Sequence, residues 1–181
     1  MTGFRVTKYA PAFRSPDGAY CRSEWTSATD VGRNFDGTTL ACADYLNVEA
    51  DYVEAVHRFM AALRITTLRV VDLEVNDNSD VLPTALVAET KLWTSTVSEG
   101  EVVSAVRLDQ VIRLALREAI WCRLEGVSGF YVHFGYDYYM YVGAESSELA
   151  PPLLPRGIYA EPFESPYRKE SSGTTSPMEL E

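Results

Sequence analysis

Apolar and polar residues alternate with period two across residues 130–142. Phe130, Val132 and Phe134 are out of phase with Tyr131 and His133. Beyond Gly135, Tyr136, Tyr138, Met140 and Val142 alternate with Tyr139 and Tyr141. The spacing predicts a β-hairpin over residues 129–143, or a single strand bent at Gly135. One face would lie on the core, and the other would show tyrosines, His133 and Asp137 to solvent or a partner. Burying a large apolar side chain contributes roughly 1.5–3 kcal/mol, so this segment anchors whatever domain contains it.

The same period marks residues 4–9 (FRVTKY), which Pro11 and the SPDG turn at 15–18 bring to an end. Residues 65–75 are rich in β-branched side chains and predict another strand, broken by NDNSD at 76–80. Residues 158–164 predict a last strand, at an edge because Pro162 has no N–H to donate. Helical spacing takes over at Tyr45, Val48, Tyr52, Val56, Phe59 or Met60, and Leu63. That stripe predicts an amphipathic helix over 41–63, with Thr39 as its N-cap and Asp44, Asn47, Glu54 and Arg58 away from the core. Residues 107–124 are apolar around most of a helical circumference and predict a second helix buried on more than one side. Ser27 and Asp30 stand at capping-box spacing, which predicts a short helix stopped by Gly32. Residues 81–106 support two readings at 86–93, strand or helical turn, followed by a short strand near 101–106. The proline-rich stretch 148–157 predicts extended chain. The element order predicts one α+β domain over 1–167, a mostly antiparallel sheet with two main helices packed on one face, and a disordered tail over 168–181.

Charge narrows the range of partners. Sixteen basic residues against 26 acidic ones give a net charge of −10. Such a field repels phosphate backbones and anionic membranes and attracts a basic protein. No apolar window approaches the ~20 residues of a membrane span, and the first ten residues lack a signal-type apolar run. Cys21, Cys42 and Cys122 form no CxxC pair, which argues against a disulfide framework or zinc site and for a reducing compartment. The expectation is a cytoplasmic protein without metal or cofactor.

Two constellations carry candidate chemistry. His133 and Asp137, with Glu24 or Glu161, have the composition of a general acid and base pair, and so of a small hydrolase or nuclease. His57 is the other histidine, and two isolated histidines make a poor metal site. Asp72, Glu74 and Asn76 alternate as in a calcium loop, but its glycine and distal glutamate are missing. Neither a glycine-rich phosphate loop nor a GxSxG elbow occurs. The second constellation is the tyrosine set of the hairpin beside Asp137, rigid aromatic anchors next to a charge, as in protein-binding hot spots.

Three segments, EWTSATDVG at 24–32, FYVHFGYDYYMYVG at 130–143 and GIYAEPFESPY at 157–167, resemble small acidic bacterial proteins. Such proteins serve as immunity partners in polymorphic toxin and contact-dependent inhibition systems. The resemblance implies a non-enzymatic protein that binds one cognate toxin, often a nuclease with a basic cleft. The residues expected at the interface are Glu24, Trp25 and Asp30 in the first segment, and His133, Tyr136, Asp137 and Tyr138 in the second. The segments are expected to meet in space. Besides the hydrolase, the alternative is an oligomeric scaffold whose tyrosines bury against a second copy.

Overall fold

The computed structural model describes residues 2–146 and 149–168. In chain order the strands are β1 (Thr2–Thr7), β2 (Asn34–Phe35), β3 (Thr38–Thr39), β4 (Leu68–Val75), β5 (Val102–Val103), β6 (Ile120–Glu125), β7 (Tyr131–Phe134), β8 (Met140–Ala144) and β9 (Tyr159–Pro162). The helices are α1 (Cys42–Ala62), α2 (Thr84–Thr94) and α3 (Ala105–Leu116). Seven strands form one antiparallel sheet in the order β5-β4-β6-β7-β8-β1-β9, and β2 pairs with β3 in a small separate hairpin. The chain is an α+β domain, mostly antiparallel sheet, with helices over its front.

The front is apolar because strand register lines up one phase of every strand. Phe4, Val142, Val132, Leu124 and Val70 form a row across five strands. Helix α1 lies on this row, its Phe59 ring 6.0 Å from that of Phe4. Of the stripe read from the sequence, Tyr45, Tyr52, Val56, Phe59 and Met60 are buried, and Val48 and Leu63 are half-buried. The helix starts at Cys42 after Ala41, without a side-chain cap. Thr39, the expected cap, pairs instead with Asn34 in the small hairpin.

The expected helix over 107–124 is two elements. Helix α3 ends at Leu116, Glu118 turns the chain at a φ of 58°, and β6 begins at Ile120. Helix and strand both face the core and no glycine or proline marks the joint at Arg117 and Glu118, so the two joined periods look like one helix apolar around most of its circumference. Residues 86–93, open between strand and helical turn in sequence, lie within α2, a third helix that packs against α3.

A buried charge network joins the helices. Glu49 of α1 is fully buried, and Arg117, just past α3, is 1% exposed. Arg117 donates from Nε to Glu49 Oε1 at 2.7 Å and from Nη2 to Oε2 at 3.0 Å. Arg113 also donates to Oε2, and the Tyr45 hydroxyl to Oε1 at 3.1 Å. The Nη1 of Arg117 reaches Glu89 at 2.8 Å and Thr90 at 3.1 Å on α2.

The rear of the sheet departs from expectation. Alternation assigns one face of the 130–143 hairpin to solvent or a partner, yet every residue of β7 and β8 is buried. Residues 163–167 fold back across that face, with Phe163 N–H donating to Gly3 O at 3.0 Å. The Phe163 and Tyr167 rings lie 5.8 and 5.9 Å from that of Tyr141. Tyr131 lies over Gly143 and Gly3, where an added Cβ would meet its hydroxyl. The expected tail at 168–181 falls almost wholly outside the described residues.

Replacing Arg117 with alanine leaves Glu49 buried without its main cation, which costs about 3–5 kcal/mol. Urea unfolding of Arg117→Ala is therefore expected to show a large drop in midpoint. Adding Glu49→Gln should recover part of it, and an unchanged midpoint in the single variant would remove the pair from its central place.

Candidate functional site

Residues 135–139 link β7 to β8 in a tight loop in which Gly135 N–H donates to Tyr139 O at 2.8 Å. Asp137 and Tyr138 have φ of 56° and 62°, two consecutive left-handed residues as in a type I′ hairpin turn. Tyrosine rarely adopts this region, but packing holds Tyr138 there. Its ring lies 4.9 Å from Trp25, 5.1 Å from Tyr52 and 6.0 Å from Tyr45, edge-on to each. Two further hydroxyls hold the loop backbone, Tyr52 donating to Tyr138 O and Tyr9 to Asp137 O, both at 2.7 Å. Tyr136 is left standing outward at 86% exposure, beside the exposed Asp137.

A cleft of about 580 Å³ opens beside Tyr136. Trp121 and Tyr167 provide further aromatic wall, with ring centroids 6.0 Å apart at 66°. Glu74, Glu118, Asn76 and Asn78 provide its polar groups. Glu74 and Glu118 are exposed, and among the described residues neither carboxylate is paired with a cation.

The loop also connects to a second cleft of about 350 Å³, lined by Trp25, Glu24, Asp36 and Asp44 together with Arg22. Here Glu24 accepts from Lys8 Nζ at 3.0 Å and from the Tyr20 hydroxyl. Lys8 Nζ sits 4.2 Å from the ring centroids of both Tyr9 and Trp25. Burial lowers the Lys8 pKa from its ordinary value, with Glu24 pulling the other way.

The residues singled out in sequence therefore divide. Trp25, Asp137 and Tyr138 lie together, through the Trp25–Tyr138 contact and the Tyr9 hydroxyl, which reaches Asp137 O at 2.7 Å and Trp25 O at 3.4 Å. Asp30 does not present itself to a partner. It is 7% exposed and completes the capping box, accepting from Thr26 N–H at 2.9 Å and Ser27 N–H at 3.2 Å. Tyr138 is core. His133 is 1% exposed on the rear of the sheet, under Ser165, whose Oγ is 2.8 Å from Nδ1.

The carboxylates considered as partners for His133 are engaged elsewhere or turned outward. Glu24 binds Lys8, Glu161 accepts from Arg5 at 3.2 Å and Arg14 at 2.9 Å, and Asp137 is exposed on the turn. The expected acid and base pair is not formed. Burial, with Arg123 and Arg168 nearby, pushes the His133 pKa down to about 4. A different pair, His57 Nε2 and Asp109 Oδ1 at 2.6 Å, bridges α1 and α3. No sequence spacing signals it, since the residues come from different helices.

Trp121 and Glu118 escaped the sequence reading because both fell inside the expected helix. Read with period two, Trp121, Arg123 and Glu125 share the rear phase of β6. Among the described residues, no group of three or more His, Cys, Asp or Glu side chains is placed to hold a metal ion, and no helix is long and apolar enough to cross a membrane. Comparisons with protein families, with curated proteins and with solved structures find no match for this chain.

The depressed His133 pKa has a defined consequence for stability. The folded state holds the ring neutral from its ordinary 6.5 down to about 4, so the unfolded state binds more protons across that window. The contribution is complete above pH 6.5 and falls by about 3 kcal/mol as pH drops toward 4. In urea unfolding at pH 7 and pH 4.5, His133→Asn should flatten the pH dependence relative to the parent protein. Parallel slopes would show that His133 does not titrate in this way.

Proposed function

We propose that the chain is a cytoplasmic binding protein that neutralises a basic protein partner, as toxin immunity proteins do, through the Tyr136 loop and the cleft beside it. The observation that carries this reading is an almost fully exposed Tyr136 beside a cleft whose Glu74 and Glu118 carry no cation among the described residues. An exposed large aromatic beside uncompensated acids has the make-up of an interface anchor. The overall charge of −10 draws a basic partner toward any such surface. Three free cysteines fit a reducing compartment. The resemblance of segments 24–32, 130–143 and 157–167 to immunity proteins supports the nature of the partner. The hydrolase reading lacks its dyad.

Co-expression with the product of the neighbouring reading frame tests this directly, scoring growth and co-purification. Rescue with a stable complex is expected, whereas a neighbour that is harmless, or that kills although this protein is folded, overturns the pairing. Within a complex, Tyr136→Ala should weaken binding by at least ~10-fold at an unchanged melting temperature. Asp137→Asn keeps a residue that tolerates left-handed backbone, and should reduce both the association rate and its salt dependence.

A further inference from the structure

We infer that the cleft beside Tyr136 is a site for an arginine side chain, filled by a guanidinium of the basic partner. The inference rests on the binding role proposed above and names what the cleft recognises.

Its polar wall is rich in acceptors and poor in donors. Glu74 and Glu118 contribute carboxylates without a cation among the described residues. The Asn76 side-chain amide donates from Nδ2 to Glu118 O at 3.3 Å, and that of Asn78 donates to Arg117 O at 2.6 Å. Each amide keeps its Oδ1 as an acceptor and has one further N–H. The indole N–H of Trp121 donates to Phe134 O at 3.3 Å. Among the described residues, no lysine or arginine lines the cleft. Glu74 and Glu118 repel an anion here, and a neutral group would leave the two carboxylates uncompensated. The matching ligand is a cation that donates and does not accept.

The aromatic walls choose between the two basic side chains. A guanidinium is planar, weakly hydrated and carries five N–H donors, so it stacks on rings while its edge engages carboxylates. Trp121, Tyr167 and Tyr136 offer faces and edges of that kind. A lysine ammonium is compact and strongly hydrated, and its three donors make less use of flat walls. The cleft volume of about 580 Å³ accommodates one long side chain with part of its backbone.

The test uses N-acetyl-arginine methylamide as probe, followed by the indole N–H resonance of Trp121 in NMR spectra and assigned with Trp121→Phe. The Trp121 signal should shift saturably, while those of Trp25 and Trp93 stay in place. The citrulline and lysine analogues should bind at least ~10-fold more weakly, since each loses charged hydrogen bonds or stacking. Glu74→Gln with Glu118→Gln should abolish the shift at an unchanged melting temperature. An unmoved Trp121, an equal response to citrulline or lysine, or a shift that survives the glutamine pair would overturn the assignment. The two readings fail separately. Rescue in co-expression with an unmoved Trp121 removes only the arginine site, and a saturable arginine response without rescue removes only the neutralising role.

Discussion

The ion pair between Glu49 and Arg117 is the constraint on which the rest of the structure depends. A carboxylate with no exposure to water is stable only when its acceptor sites are filled, and here two arginines and Tyr45 fill them. Because those donors come from different elements, satisfying Glu49 fixes α1 against α3. The same guanidinium reaches Glu89 and Thr90, which brings α2 into register. Two routes lead from this pair to the candidate site. The Arg117 carbonyl receives Asn78, which holds one wall of the larger cleft. Tyr45, bound to Glu49, presents its ring to Tyr138 and so helps to seat the turn that pushes Tyr136 outward.

A second constraint acts at the rear of the sheet. Register places Arg5, Tyr141, His133 and Arg123 in one row there, a set that neither packs as a dry core nor leaves its charges unmet. Glu161 answers Arg5, and Asp72 and Glu125 answer Arg123 at 2.7 and 2.8 Å. Residues 163–167 cover the rings between them. The cover is not fully satisfied, because His133 Nε2 is buried without a hydrogen-bond partner. Its neutral form tolerates this at a moderate cost, and the charged form would not, which is the physical origin of its lowered pKa. The close seat of Tyr131 over Gly3 and Gly143 shows why glycines pair there, since any Cβ would lift the ring from the sheet.

What the sequence makes legible follows from how local each signal is. The stripe of α1, the alternation of β1 and the capping box at Ser27 and Asp30 are all written within a few residues, and all are present. The segment 107–124 misleads because its turn at Arg117 to Ala119 contains neither glycine nor proline, and Glu118 takes the left-handed conformation unannounced. The hairpin turn is hidden in the same way, with Asp137 and Tyr138 doing what Asn-Gly does elsewhere. Alternation alone foretells two faces for the hairpin but cannot tell that a segment some thirty residues downstream covers the second. The candidate cleft is least legible of all, since Glu74, Glu118, Trp121, Tyr136 and Tyr167 come from separate parts of the chain. Neighbours such as His133, Tyr136 and Tyr138 end in three environments for the converse reason.

The acidic excess takes on a different meaning once pairing is considered. Most arginines are already committed, to Glu49, Glu54, Glu101, Glu161, Asp30 and Asp72 among others, so those acids contribute little net field. What an approaching cation meets is the remainder. Glu74, Glu118 and Asp137 belong to that remainder, and two of them line the cleft that Tyr136 overlooks. Low-dielectric aromatic walls beside them strengthen the local potential beyond what the same charges exert on an open surface. The functional contrast in this protein is therefore between acids that hold the fold and acids that the fold leaves unanswered. Composition counts them alike, and only the packing around Glu49 and the turn at Tyr138 separates them.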